Sequence, residues 1–265
     1  MRGFRFRTPK SARFVVGLPH RLPHTAPQRH ARFDAAHLRG NHVSVSATDA
    51  LKSVLRDVVG PYLRSEGFKG SGTTWTLTAP NGDRGVVNVQ SSQFSSKSEV
   101  RCIVNVAVLP EPWWAWQAFH HGAAMPKSPR EYHGLWRQRL QPSTGGQPRG
   151  SEEWWSVRDE ATAHTAAEDM VLQLRTDAVP LLRRLLDRDA ILAAVRAGDL
   201  GFITVQSSPA YFGRALAVLL ADEGQSAELD ALLTRLAAEQ DENLKAFNES
   251  FVPWLTARAT SHRHE

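Results

Sequence analysis

The chain has 265 residues, a formal net charge of +5, a pI near 9.7 and a single cysteine, Cys102. A lone cysteine excludes an internal disulfide and a zinc site built from thiolates, and no apolar run reaches the roughly 18 residues that a membrane-spanning helix needs. We therefore expect one large domain, or one domain with an appendage, in the cytoplasm and without a membrane partner.

The positive charge is concentrated at the N-terminus. Residues 1–42 hold nine of the 32 Lys and Arg residues but one of the 27 acids, a balance of +8, which leaves −3 for the rest. Because this stretch has no helical or strand period, we predict that residues 1–43 form a disordered basic leader. An alternative is that they are upstream sequence and that the natural start is Val43 or Val45. We expect nucleic acid as a partner only if residues 1–42 are translated, since the remainder is mildly acidic.

The first predicted element is a helix over residues 48–66, in which apolar side chains recur at helical spacing. Ser46 or Thr48 is a suitable N-terminal cap, and Gly67 is a suitable end. Pro61 lies inside this helix and should kink it, because proline has no N–H group to donate to the preceding turn.

Two β-hairpins follow, and the turn of the first decides which side chains share a face. A two-residue turn at Asn81-Gly82 would pair residue 79 with 84, whereas a three-residue loop with Gly82 as a left-handed bulge pairs 79 with 83. We predict the bulged turn, because it alone keeps the apolar side chains of both hairpins on one face. That face comprises Trp75, Val87, Val89, Val104 and Val106.

The segments after the hairpins alternate between strand-like and helical patterns. Residues 110–131 are rich in Pro and Trp and are expected to be a loop that covers one end of the sheet. Residues 132–140 and 153–158 are predicted strands, joined by a Gly- and Pro-rich loop at 142–150, and helical periodicity begins after Ala161.

This order of elements predicts an α+β protein: an antiparallel sheet of about four strands packed against helices, followed by a C-terminal helical hairpin or bundle. Pro180 should kink the first long helix of the second half. We place an α+β domain at residues 44–198, a helical extension at 199–258 and a disordered tail at 259–265.

Several segments together resemble a known bacterial family, the domain-of-unknown-function 4304 family, over roughly residues 48–198. They are "LRSEGFK" at the end of the first helix, "VVNVQSSQF" and "VRCIVNVAV" in the second hairpin, and "WWSV" before a helix. Gln90-Ser91 and Asn105 are the most distinctive positions, whereas Val89 and Ala107 depart from the family pattern. The resemblance implies a small α+β domain and no established activity.

The best candidate for a functional surface is the second face of the hairpin, where polar side chains alternate with apolar ones. Asparagine is disfavoured in strands, yet the predicted register sets Asn88 opposite Asn105. Amides and guanidinium groups suit carboxylates, phosphates or a peptide backbone. The alternative is an ordinary solvent-facing side of a sheet. The candidate binding residues are Asn88, Gln90, Ser92, Arg101, Asn105, Arg137 and Arg139.

Other clusters favour structural roles. Trp113, Trp114 and Trp116 are expected to cover the sheet, although tryptophans can also stack on ligands or anchor a partner. Adjacent His120 and His121 make poor metal geometry. Cys102 is predicted on the apolar face, where a thiol is usually inert.

The sequence contains none of the common catalytic or nucleotide-binding motifs, and we expect no cofactor and no metal. The leading hypothesis is a non-catalytic binding module whose polar sheet face holds a protein or a small anionic ligand, for example as an immunity protein that neutralises a toxin. The alternative is a hydrolase or nuclease in which Arg137, Arg139 and a histidine surround a phosphate.

Overall fold

The computed structural model describes residues 45–143 and 153–261, which belong to one compact unit. The predicted leader at residues 1–43, most of the predicted loop at 142–150 and the last four residues of the predicted tail lie outside the described residues. The α+β class is confirmed: an antiparallel sheet is packed against helices, and further helices follow it. In the described residues no helix is long and apolar enough to cross a membrane.

The first helix is interrupted before its proline. Helix α1 (Ala47–Val54) begins at Ser46, whose hydroxyl accepts a hydrogen bond from a backbone N–H of the first turn at 3.1 Å. A π-helical turn (Leu55–Val59) leads into α2 (Gly60–Ser65), in whose first turn Pro61 lies. The wider π turn accommodates the missing N–H and the ring of the proline. The predicted kink therefore takes the form of a π-helical turn.

The sheet has six strands in the described residues, where about four were expected. Its order is β1-β2-β3-β4-β5, and β6 pairs with β4 beside β5 on the same edge. The first strand has three residues, which is too short for an alternating pattern to predict it, whereas the three-residue sixth strand lies within the strand predicted at residues 153–158. The strands are β1 (Lys69–Ser71), β2 (Thr74–Thr78), β3 (Arg84–Ser91), β4 (Val100–Leu109), β5 (Trp136–Leu140) and β6 (Trp155–Val157).

The predicted hairpin registers are confirmed. Ala79 N donates to Asp83 O at 2.8 Å, and Gly82 adopts a φ of +84°, as the bulged turn requires. Trp75 pairs with Val87, Val89 with Val104, and Asn88 with Asn105. The apolar side chains of the first face are consequently all buried under the helices.

The first long helix after the sheet also contains a π-helical turn just before a proline. Helix α4 (Glu160–Gln173) passes through a π-helical turn (Leu174–Ala178) into α5 (Val179–Leu185), and Pro180 lies in the first turn of α5. Helix α1 packs against α4, and α5 packs against β4. Helix α6 (Arg188–Arg196) follows after a short turn.

The Trp-rich segment is a helix, so the expectation of a loop at residues 110–131 was wrong for its first half. Helix α3 (Glu111–His121) carries the tryptophans, of which Trp113 and Trp116 are buried. Trp116 lies in an aromatic cluster with Phe247, Phe251 and Trp254 of the C-terminal helix. The prolines lie at the start of this helix, where the first N–H groups have no intrahelical acceptor in any case.

The C-terminal region begins with a two-stranded hairpin, β7 (Asp199–Leu200) and β8 (Ile203–Thr204). Helix α9 (Glu242–Ser261) carries Ala259, which is 2% exposed, so helical structure extends three residues into the segment expected to be a disordered tail. The other helices of this region are α7 (Pro209–Glu223) and α8 (Ala227–Ala237).

A buried ionic network joins the first hairpin to the later helices. Asp83, which is fully buried, accepts hydrogen bonds at Oδ1 from Glu111 N and from Arg188 Nη2, both at 2.7 Å. Arg188 Nη1 donates to Asp222 Oδ2 at 2.8 Å, and Arg258 Nε donates to Asp222 Oδ1 at 2.9 Å. The hairpin turn, α3, α6, α7 and α9 are therefore held together by charged groups that are largely removed from solvent.

Candidate functional site

The second face of the sheet is less open than the sequence suggested. Asn88 and Asn105 do point to this face, but they are only 8% and 5% exposed. A 3₁₀ turn (Glu131–His133) packs over β3 and β4 at one end. It is followed by Gly134, where a Cβ would come within 2.6 Å of Ala107 Cβ. Only glycine permits this close approach, which covers part of the predicted polar face.

A cavity of about 260 Å³ stays open on this face. Four of the seven predicted site residues line it, and the register explains why. Asn105 pairs with Arg139 across β4 and β5, and Arg137 is two residues further along the same face of β5. The four predicted residues that line the cavity are Gln90, Asn105, Arg137 and Arg139, and sequence reasoning missed Glu131, Tyr132 and Phe202.

A hydrogen-bond relay fixes the orientation of the amides in this cavity. Arg139 Nε donates to Asn105 Oδ1 at 3.2 Å, and Asn105 Nδ2 donates to Gln90 Oε1 at 2.9 Å. Because a guanidinium group only donates, Asn105 must present its oxygen to Arg139 and its nitrogen to Gln90. Gln90 therefore keeps its NH₂ group for another acceptor, and none is found for it among the described residues.

Arg137 is the second donor group at the cavity. Its Nη1 donates to Tyr132 O at 3.4 Å, whereas its Nε is buried and has no acceptor within the described ranges. The guanidinium carbon lies 4.8 Å from the centroid of the Phe202 ring, within cation–π distance. The rings of Tyr132 and Phe202 are 60% and 52% exposed. The cavity thus combines a guanidinium group with two exposed aromatic rings.

Phe202 reaches the cavity because the β7–β8 hairpin attaches to β5. Phe202 N donates to Arg137 O at 2.9 Å, and Gly201 forms a parallel bridge with Arg137. Gly201 has a φ of +78°, and a Cβ there would lie 1.9 Å from Arg137 O. Only glycine fits this contact. In the sequence, Phe202 is marked only by the glycine before it, which indicates a turn after a helix. That glycine does not indicate that the turn contacts β5.

The other three predicted site residues lie outside the cavity. Asn88 Nδ2 donates to Thr73 O and Thr74 Oγ1 at 3.2 and 2.9 Å, so this amide joins β3 to the start of β2. Ser92 Oγ accepts a hydrogen bond from a backbone N–H two residues later. Arg101 is exposed near the far end of β4, where it pairs with a residue of β6. These residues share a face with the cavity but do not contribute to it.

Apart from the two arginines, the side chains considered for catalysis, His133 and Cys102, do not line the cavity. His133 is 8% exposed, its Nδ1 accepts a hydrogen bond from Arg130 N at 2.9 Å, and burial lowers its pKa. Burial also raises the pKa of the Cys102 thiol to about 12, which leaves almost no thiolate at neutral pH. Within residues 45–143 and 153–261, no three His, Cys, Asp or Glu side chains are grouped closely enough to hold a metal ion.

Comparison with known families finds one match. The model of the family described as domain of unknown function (DUF4304) matches residues 59–184, which include β1 to β6 and all four predicted residues of the cavity. Comparisons with curated proteins and with solved structures give no match. Residues 59–184 therefore match the DUF4304 family, as the resemblance in the sequence implied.

Proposed function

We propose that this protein is a non-catalytic binding module that holds a carboxylate in the cavity on the second face of the sheet. The observation that carries the proposal is that Gln90 and Arg137 both keep hydrogen-bond donors for a ligand. Gln90 offers its NH₂ group because its oxygen already accepts from Asn105. Arg137 offers guanidinium N–H groups that its own backbone contact does not use. Carboxylates accept such bonds in charge-assisted geometry.

The charge of the lining favours a singly charged ligand. Two arginines and one glutamate, Glu131, line the cavity, which gives the lining a formal charge of +1. A carboxylate matches that charge, whereas a phosphate dianion would also be repelled by Glu131. The alternative of a phosphate hydrolase needs a histidine beside the arginines, and no histidine lines the cavity in the described part of the chain.

The size of the cavity favours a side chain of another protein over a free metabolite. Its volume of about 260 Å³ is below the range of roughly 300–1,000 Å³ that is usual for small-molecule sites. The exposed rings of Tyr132 and Phe202 at its rim are the kind of side chain that anchors protein interfaces. An acidic side chain of a partner protein fits both features, and an immunity protein bound to its toxin is one concrete form.

The proposal can be tested by nuclear magnetic resonance without knowing the partner. We expect N-acetylglutamate amide, at millimolar concentration, to shift the side-chain signals of the Gln90 NH₂ and Arg137 Nε–H groups. The neutral analogue N-acetylglutamine amide should shift them much less. Arg137→Gln should abolish the response. Arg184→Gln, which removes the same charge from an exposed position on α5, should retain it.

Two results would overturn the proposal. One is an equal response to the charged and the neutral amide, which would show that the cavity does not recognise charge. The other is a set of shifts spread over surface arginines without a change at Gln90. The immunity form makes a further prediction of its own, namely that the gene lies beside a toxin gene.

A further inference from the structure

A larger cavity lies among the C-terminal helices, outside the segment that matches the family. It has a volume of about 740 Å³ and lies between α6, α7, α8 and the start of α9. This volume falls within the usual range for small-molecule sites. Its walls are mainly apolar, with side chains of Val195, Val205, Phe212, Leu216, Leu236 and Leu244.

One charged side chain at this cavity, Arg214, is buried without a salt bridge in the described part of the chain, and Glu239 is the acid whose charge acts on it. Arg214 on α7 is 9% exposed, and within the described ranges it forms no salt bridge. Its Nε donates to Asn248 Oδ1 at 3.2 Å and its Nη2 to Leu244 O at 3.4 Å, while its Nη1 has no acceptor among the described residues. The guanidinium also lies 4.4 Å from the centroid of the Phe247 ring. A buried cation normally has an anionic partner.

The guanidinium group of Arg214 is held in position by Asn248, a buried residue of α9. Asn248 is 3% exposed, and its Nδ2 donates to Leu236 O at 2.8 Å. Because the nitrogen of this amide is held by a carbonyl, its oxygen faces Arg214. The side chain of Arg214 is thus held in one orientation by Asn248 and Leu244 of α9. This arrangement orders the guanidinium before a ligand binds, which reduces the entropy cost of binding.

A glycine beside Arg214 keeps the cavity open. Gly213 lies inside α7 and lines the cavity, and a Cβ added there would meet no atom within 4 Å. Glycine inside a helix costs roughly 1 kcal/mol relative to alanine. Neither close packing nor a positive φ requires glycine at this position. The absence of a side chain at Gly213 instead leaves space in the cavity.

We propose that this cavity binds an aliphatic carboxylic acid, with the carboxylate on Arg214 and the chain along the apolar wall. One guanidinium group matches one negative charge. Glu239 also lines the cavity, and its Oε1 accepts from Gln240 N at 2.8 Å. Its fixed negative charge disfavours a doubly charged phosphate at the same place. The proposal involves none of the residues at the sheet cavity. An experiment can therefore contradict this proposal without contradicting the proposed function, and the reverse.

Isothermal titration calorimetry with decanoate, below its micelle-forming concentration, tests the proposal on the full chain. We expect one binding site per chain and at least tenfold weaker binding of decanol, which has the same chain and no charge. Arg214→Gln should weaken decanoate binding at least tenfold. Arg184→Gln, which removes the same charge from an exposed position on α5, should bind decanoate as the wild type does.

A second variant keeps the proposal testable if Arg214→Gln does not fold. Gly213→Leu fills the cavity, leaves Arg214 in place and should raise the helical propensity of α7. It should weaken decanoate binding at least tenfold with no loss of melting temperature. Thr165→Leu, on an exposed position of α4, is the matched control and should bind normally. Unchanged binding by Gly213→Leu, equal binding of decanol, or no binding of decanoate would each overturn the proposal.

Discussion

Asn88 lies directly opposite Asn105 on β3 and β4, but the two amides are not bonded to each other. Asn88 Nδ2 donates towards β2, to Thr73 O and Thr74 Oγ1, whereas Asn105 Nδ2 donates to Gln90 Oε1. Two facing amides that satisfied each other would leave nothing for a ligand. Here each is turned away from the other, and the relay through Asn105 leaves the NH₂ group of Gln90 available.

The first prediction follows from the different burial of Gln90 and Asn105, which are joined by a hydrogen bond. Gln90 is exposed, so Gln90→Ala should change the free energy of unfolding by less than about 1 kcal/mol and should abolish carboxylate binding. Asn105 is 5% exposed and bonded on both sides. Asn105→Ala should therefore cost roughly 1–3 kcal/mol, the usual effect of leaving buried partners unsatisfied.

Urea denaturation of both variants measures these changes. A stability loss for Gln90→Ala as large as that for Asn105→Ala would mean that Gln90 is also structural. In that case the cavity would lose its best donor for a ligand.

The hairpins could be predicted because the residues that determine their registers are close together in the sequence. The turn residues at 80–82, the alternation along each strand and the short connection of the second hairpin together fix the register. The register of the hairpins does not extend to β5, whose pairing with β4 brings Arg137 and Arg139 to the same cavity as Gln90 and Asn105. The register also could not predict the burial of Asn105, because burial depends on what packs above the sheet.

Features that depend on distant parts of the chain were missed. Arg188 and Asp83 are 105 residues apart in sequence, and each is an unremarkable charged residue in its own segment. Phe202 lies in the turn between two strands of two residues each, which are too short to carry a period. The π-helical turns before Pro61 and Pro180 were read only as kinks, since the sequence gives the missing N–H but not how the backbone adapts.

The ionic network around Asp83 should be important for stability. Asp83→Ala removes the acceptor of Glu111 N and leaves Arg188 with one of its two carboxylate partners. Breaking a buried ion pair by removing one member typically costs 3–5 kcal/mol, and we expect a loss of about that size. Chemical denaturation measures it. Asp189→Ala, at an exposed acid on the same helix as Arg188, should cost less than about 1 kcal/mol.

The centre of β4 provides a test of the register itself. Val104 is fully buried and pairs with Val89 on one side and Leu140 on the other. Val104→Asp places an unpaired charge among apolar side chains and should cost several kcal/mol or prevent folding. Arg101→Gln, three residues earlier on the opposite, exposed face, should have almost no effect on the melting temperature. Equal effects of the two substitutions would contradict the assigned faces.

The last prediction concerns the dependence of stability on pH, and it rests on Cys102. Burial raises the pKa of this thiol from 9.0 to about 12 in the folded protein. Between those values the unfolded chain releases the thiol proton and the folded protein retains it, so stability is fully present below pH 9 and falls as the pH rises towards 12.

The expected loss is about 1.4 kcal/mol per pH unit from this one group. Cys102→Ala lacks the thiol and should show a shallower decline of the unfolding free energy over the same range, measured by urea titrations at a series of pH values. Because Cys102 is the single cysteine, a thiol reagent gives an independent readout: it should modify the native protein only at the rate of unfolding. Rapid modification of the folded protein would show that β4 is accessible, and would contradict the burial that raises this pKa.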